Sequence, residues 1–450
     1  MRSRLFLLMG FALAVIATGV LTPSGSRGQA PGAPPKELPP EVIPPTPVGT
    51  PAKGVVPAAV VVPKNRKPAP FDRFAKYDEL PEQTRELVLA TQRGIEWLSR
   101  DRVIHRPDGR FVPGIDPALG RFTDDDSFIR QAQGALALSR AARLTGEEKT
   151  AVRAAQTILS LLAEAPKDPE HAGTRKPMPA GANCNRLGAA AFLALAIFEL
   201  PDVAPDMLLC GEELCQFIRT CLQADGSVQT VPVGDAADPT AEAAFSGPTL
   251  AALAWSHRLA PATWKVEAGT RGVAYYRKQF RATPNPNIIP WMTAAAAEIH
   301  LQTKDAAAAD FVFEMADWLR KLQFDGMDRQ RATWRGGFAT VVDGKVVQTP
   351  PTIATASYAL AFAEACRMIR QMDRPDAGRY DQYRGTLARA LQFVVTLQYA
   401  EENTQHFVAD FRPALVGAFH PSATDGNLRT DHTATAVAAL SQFLIVGADR

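Results

Sequence analysis

From residue 82 onward the hydrophobic and polar positions predict helices of two kinds in alternation. The first kind keeps one wet face. In 310–323, Phe311, Phe313, Met315, Trp318, Leu319 and Leu322 share the segment with Asp310, Glu314, Asp317, Arg320 and Lys321, the charges recurring three or four apart. Segments 82–100, 147–164, 206–223, 262–280 and 378–398 repeat the pattern. The second kind is apolar nearly all round: 128–144, 185–200, 245–259, 288–301, 353–369 and 433–446 are dense in Ala, Leu, Phe and Ile. A helix with no wet face has to be enclosed by other helices. Pro248 and Pro290 are expected in first turns, where a missing backbone donor is harmless.

Six wet-faced helices alternating with six enclosed ones predict a closed double ring, an all-α (α/α)6 toroid with the apolar set inside. The alternative, an open solenoid, would normally leave a wet face on both helices of each hairpin. Links from inner to outer helix are short, and those from outer to inner are mostly long. The long loops therefore gather at one rim, and a functional site is expected there. One of them is expected to carry a β-hairpin, 338–342 and 345–349 around Asp343-Gly344.

Composition narrows the class. With 49 Lys+Arg against 47 Asp+Glu the chain is near neutral, which excludes a nucleic-acid-binding surface of the usual basic kind. Residues 1–30 read as an export signal, with Arg2 and Arg4, an apolar stretch over 5–21, and Gly28-Gln29-Ala30 as a cleavage site. Retention of 5–21 as a membrane tether is the alternative. Either way the chain is expected outside the cytoplasm, in the periplasm, the cell envelope or beyond. Residues 31–76 are expected to be a disordered linker, because 13 of the 36 prolines fall in 31–70. The toroid is then expected over 77–450. The five cysteines, Cys184, Cys210, Cys215, Cys221 and Cys366, allow at most two disulfides and otherwise read as small buried hydrophobes.

Outer helices end in a recurring phrase: Phe217-Ile218 leads to Gln223-Ala224-Asp225-Gly226, and Trp318-Leu319 leads to Gln323-Phe324-Asp325-Gly326. Phe393-Val394 leading to Gln398 is a looser copy. The phrase resembles the aromatic–aliphatic–Gln–Gly repeat of the squalene cyclase and protein prenyltransferase toroids. That resemblance implies the toroid fold and leaves the chemistry open. The cyclases' acidic motif has its nearest counterpart in Thr123-Asp124-Asp125-Asp126-Ser127, with Thr123 where the first Asp belongs. The Asp-x-Cys of the prenyltransferase zinc site does not occur. Cys210-Gly211-Glu212-Glu213 is similar to the Cys-Gly-Glu-Gln of thioester domains, but a carboxylate cannot supply the amide that a thioester requires. No cofactor is expected and no metal is assigned.

Candidate groups cluster at the starts of inner helices. Asp125 and Asp126, beside Asp124, are placed as a general acid or as a hard-cation site; the structural alternative is that Thr123 or an Asp caps the helix and the others favour its positive end. Asp431 is placed to orient His432 for proton transfer, with Arg429 as a carboxylate or phosphate holder, against capping by Thr430 or Asp431. Asn183, Asn185 and Arg186 form a ligand-binding group or a cap. Trp291, Trp334, Arg335 and Tyr358 are placed to stack on sugars or line an apolar pocket, or simply to pack. Three functions stay open: a cyclase-like ligand binder, a polysaccharide lyase or glycoside hydrolase, and a protein-interaction module. The ligand expected is an anionic glycan or an apolar small molecule, since six positive helix ends face the mouth.

Overall fold

The computed structural model describes residues 69–101, 103–178, 184–233 and 240–449, all within one compact unit. The export signal, the tether, most of the Pro-rich segment and Asn183 lie outside the described residues. The folded unit starts earlier than Tyr77. A 3-10 helix at Pro70–Phe74 buries Phe74, and Arg73 pairs with Asp449 and donates to the Leu444 carbonyl at 2.7 Å.

Among the described residues, twelve long helices form the body. The wet-faced set is α1 (Glu82–Leu98), α3 (Glu148–Ala163), α5 (Pro205–Thr220), α7 (Thr263–Ala282), α9 (Ala306–Arg320) and α11 (Ala377–Val395). The enclosed set is α2 (Phe128–Thr145), α4 (Arg186–Glu199), α6 (Ala241–Leu259), α8 (Ile289–Thr303), α10 (Ala354–Gln371) and α13 (Thr430–Val446). The remaining helix, α12 (Arg412–Leu415), is a single turn in the last long loop. Each enclosed helix packs on the next, α2 on α4, α4 on α6, α6 on α8, α8 on α10 and α10 on α13, and α13 returns to α2. The first wet-faced helix, α1, covers the last enclosed helix, α13, so the ring is closed. Ala-rich inner faces allow this close approach: Ala294, Ala295, Ala296 and Ala297 of α8 have no exposed surface. No described helix is long and apolar enough to cross a membrane.

One helix start differs from expectation. Pro290 sits in the first turn of α8, but Pro248 lies inside α6, which begins four residues earlier than the apolar run. Enclosure on all sides stabilises that helix through the proline. The link from α7 to α8 is short, so five of the six outer-to-inner connections are long.

Short strands fasten the long loops. β1 (Gly114–Asp116) in the first long loop pairs antiparallel with β2 (Arg121–Thr123) and with β7 (Leu428–Arg429) in the last, joining these two loops at one rim. β3 (Cys184–Asn185) pairs with β4 (Pro232–Val233). The expected hairpin is β5 (Thr340–Val342) and β6 (Lys345–Val347), turning through Asp343 and Gly344 at φ 49° and 73°.

The Gln phrase has a structural meaning. Gln323 Nε2 donates to Gly336 O (3.0 Å) and to Thr386 O of α11 (2.9 Å), and Gln398 Nε2 donates to Gly417 O (3.0 Å) and to Ala90 O of α1 (2.9 Å). Gln323 and Gln398 thus stitch their loops to the next outer helix, whereas Gln223 donates to Gln229 within its own loop at 3.4 Å. The glycine against the next outer helix is Gly226 of the phrase itself in the first copy, at φ +98° against the Arg271 carbonyl of α7, but Gly336 and Gly417, at φ +88° and +102°, in the other two. A Cβ on Gly336 would overlap the Arg389 carbonyl oxygen of α11. Gly336→Ala is therefore expected to destabilise by more than the ~1–2 kcal/mol of left-handed strain alone. Gly344→Ala, with positive φ but nothing within 4 Å, should show only that strain. Urea midpoints of the two variants compare the effects, and equal shifts would remove the packing argument.

Candidate functional site

The long-loop rim brings together the starts of α2 and α13, which are neighbours in the ring. Asp125 at the mouth of α2 accepts from Arg130 Nη1 at 2.8 Å, and the same nitrogen donates to the Asp125 carbonyl. Arg130 is itself buried and its Nε has no hydrogen-bond partner. At the start of α13, Arg429 holds Asp431 bidentately, Nε to Oδ1 at 3.0 Å and Nη2 to Oδ2 at 2.6 Å. Burial pushes the Asp431 carboxyl up, but the charges of Arg429 and Arg130 and the hydrogen bonds from Arg429 help hold the group below its ordinary value.

His432 follows in the first turn. Burial lowers its imidazole to about 4, and Arg429 and Arg130 act in the same direction against the opposing pull of Asp431 and Asp425. The ring is therefore neutral at physiological pH, and its Nδ1 is buried without a hydrogen-bond partner. A neutral imidazole beside two guanidinium groups can accept a proton from a carbon acid whose developing charge the arginines stabilise.

Other candidates are absorbed by structure. Asp126 accepts from Gln131 Nε2 (2.7 Å), the Ser127 amide (2.7 Å) and Arg110 Nη1 (3.1 Å), fastening the first loop to α2. Ser127, not Thr123 or an Asp, occupies the N-cap of α2, and Arg429 rather than Thr430 or Asp431 occupies that of α13. Asn185 caps α4, accepting from the Gly188 amide at 3.1 Å. Arg186 follows it, half-buried, with Nε unpartnered.

The aromatic candidates mostly pack. Trp334 meets Phe324 edge-on at 5.2 Å, with Arg331 over its ring, and Arg335 is exposed beside Gly326. Tyr358 packs on Phe338 at 5.3 Å, and burial pushes its hydroxyl up to about 12, which removes it as a base at neutral pH. Trp291 starts on α8 but reaches inward. Its ring lies 5.5 Å from Phe192 of α4 and 5.3 Å from the guanidinium of Arg140, on the opposite inner helix α2. These three side chains meet across the interior between the two rims.

All five cysteines are free, and Cys184, Cys215, Cys221 and Cys366 are buried. Burial drives the thiols of Cys184, Cys215 and Cys366 up to about 12, so they behave as hydrophobes. The thioester-like phrase is ordinary helix: Glu212 binds Ser256 and Lys265, and Glu213 binds Arg175. One group with metal-ligand side chains occurs among the described residues, Asp168, Glu170 and His171. Asp168 there accepts from the Glu170 amide and pairs with His171 at 3.1 Å, closing a local turn.

The sequence singled out Asp431, His432 and Arg429 but not Arg130 or Asp425, which complete the electrostatic cluster. Arg130 follows Asp125 by five residues, a weak signal that the fold alone makes meaningful.

No protein-family model and no curated protein sequence matches the chain. Solved structures do. A D-mannose isomerase is 12% identical, with TM-score 0.58 over 81% of this chain and 99% of that one. An α-1,6-mannanase from Salegentibacter sp. is 10% identical, with TM-score 0.55 over 80% and 99%. A cellobiose 2-epimerase from Bacillus thermoamylovorans is 13% identical, with TM-score 0.54 over 79% and 98%. At these identities the likeness is one of fold. The chain is an α/α toroid of the same fold class as these carbohydrate enzymes and the squalene-cyclase-like proteins.

Proposed function

We propose that this chain is a carbohydrate-processing enzyme working at the long-loop rim, with proton abstraction as its chemistry. The observation that carries this reading is the neutral His432 imidazole, its Nδ1 without a hydrogen-bond partner, set beside Arg429 and Arg130. Abstraction of a proton next to a carboxylate or carbonyl is the step shared by uronate lyases and by sugar isomerases and epimerases. His432 takes the proton, Arg130 or Arg429 meets the substrate's carboxylate or developing enolate, and Asp431 keeps Arg429 in place. Hydrolysis needs two carboxylates flanking the bond, one of them free to donate. Here Asp126 and Asp431 are held in ion pairs, which favours lyase or isomerase chemistry.

The toroid neighbours support a glycan substrate: one structure of the mannanase is a complex with α-1,6-mannotriose. A cyclase-type binder of apolar molecules is less well supported, because the rim is lined by charged groups and Trp291, Phe192 and Arg140 occupy the interior. Export through residues 1–30 suits a polymeric glycan met outside the cell.

The test incubates the full chain with uronate-containing polysaccharides, α-1,6-mannan and reducing disaccharides. Products are read as unsaturated uronates, new reducing ends or epimers. Unsaturated or epimerised products from wild type, lost in Arg429→Gln, are the expected outcome. New reducing ends alone would assign hydrolysis instead, and unchanged turnover in the variant would remove the cluster from the chemistry.

A further inference from the structure

The opposite rim, where the inner helices end and the links are short, holds a cavity of about 570 Å³. Arg143, Arg258, Arg367, Arg370 and Glu298 are among its lining residues. Around it the inner helices carry arginine on α2, α6 and α10 and glutamate on α4 and α8, with a further glutamate on α10. Arg140 and Arg143 of α2 hold Glu199 at the end of α4. Arg258 of α6 reaches Glu298 of α8 at 3.6 Å, and Arg367 of α10 reaches the same carboxylate at 2.9 Å. Glu364 of α10 is shared between Arg367 and Gln442 of α13, both at 2.7 Å.

The alternation lapses at the sixth helix. Between α10 and α2, α13 presents neutral Gln442, Ile445 and Val446 where the pattern calls for an acid. Arg143 flanks that place from α2 and Arg370 from α10. Arg140, Arg143, Arg258 and Arg367 thus share three buried glutamates, and Arg370 pairs with none of them. Arg370 uses Nη1 on the Val446 and Gly447 carbonyls, and its remaining nitrogens have no hydrogen bond. Arg258 has the long ion pair to Glu298, the face of Trp255 and a longer-range pull on Glu199. Arg140, fully buried behind them, leaves Nη1 unpartnered. Guanidinium groups converging on a half-open cavity, with Arg143, Arg258 and Arg370 at its solvent edge, can receive a carboxylate or a phosphate.

We propose that this cavity is a second ligand site, separate from the long-loop rim, which takes a small organic acid or phosphate ester. The anionic group fills the vacant place beside Val446, between Arg143 and Arg370, and the body of the ligand lies against Leu301 and Ile445. Trp291, Phe192 and Arg140 separate it from the rim cluster, so binding here does not depend on the reaction proposed there.

Calorimetric titration of the full chain with two probes, hexanoate and inorganic phosphate, tests this. Hexanol serves as the neutral control and sodium chloride as the ionic-strength control. Saturable binding of at least one anion is expected, with hexanoate favoured if the acid is a carboxylate and phosphate if it is a phosphate ester. Val446→Glu supplies the missing acid in cis, so it should weaken binding at least tenfold while leaving the melting temperature unchanged or raised. Arg370→Gln should also weaken it at least tenfold, and His432→Gln at the other rim should leave it intact. Anion binding no stronger than chloride, equal binding of hexanol, or full binding by Val446→Glu and Arg370→Gln would each overturn the proposal.

Discussion

Replacing Glu199 with leucine is expected to lower stability by about 3–5 kcal/mol, read as a fall in the urea midpoint and in Tm. The Glu199 side chain is 2% exposed and receives Trp255 Nε1 at 2.9 Å and Arg140 Nη2 at 3.3 Å, with Arg143 as a further ion-pair partner. Without the carboxylate, the fully buried Arg140 keeps its charge and loses its counter-ion, and that uncompensated charge is the main cost. An Arg140→Met, Glu199→Leu double variant removes both charges and should recover most of the loss, because a well-packed apolar pair replaces a desolvated one. Failure of the double variant to recover would show that the cost lies in packing instead.

The same pair makes the fold sensitive to acid. Burial raises the Glu199 carboxyl, but Arg143, Arg140 and Arg258 overcome burial and hold it at about 2, below its ordinary 4.5. Between those values the unfolded chain binds the proton and the folded chain does not. The contribution of Glu199 is therefore present above pH 4.5 and is lost as pH falls toward 2.

His432→Gln is expected to reduce kcat/KM on the substrate found by the glycan panel by about 10²–10⁴-fold, the usual contribution of a general base. With the imidazole at about 4, the acid limb of the free-enzyme profile should fall near pH 4 rather than near 6.5. A substrate carboxylate that pairs with Arg130 or Arg429 relieves their repulsion, so the corresponding limb in kcat should move upward. A second readout does not depend on turnover. As pH drops from 6.5 toward 4 the unfolded chain takes up a proton that folded His432 refuses, so wild type loses stability over this window. The glutamine variant should lose less there. Identical acid profiles would remove the buried neutral imidazole, and unchanged kcat/KM would remove the base.

Much of the architecture is written locally. The all-round apolar composition of segments such as 185–200 requires enclosure, and the wet faces of segments such as 310–323 require an outside, so alternation alone leads to the double ring. Asp343-Gly344 was legible for a similar reason, since the left-handed backbone it needs is a property of two adjacent residues. The Gln–Gly phrase was only half legible. Gln323 and Gln398 do the stitching, but the loop that returns to α11 places Gly336, ten residues past Gly326, against the Arg389 carbonyl.

The site was legible as residue types and not as roles. Asp126 and Asp125 look equivalent along the chain, yet one is fastened to Gln131 and Arg110 while the other faces solvent beside Arg130. Local periodicity determines which residues turn inward, because a helix repeats every few positions. Tertiary structure alone decides which inward charges meet. Arg130 and Asp431 act on each other only because ring closure sets α13 beside α2, and the short-loop cavity exists only because α2, α6 and α10 bring arginines to a rim where α13 supplies no acid. Pairing of charges over such separations follows from packing in three dimensions, and no local pattern in the chain encodes it.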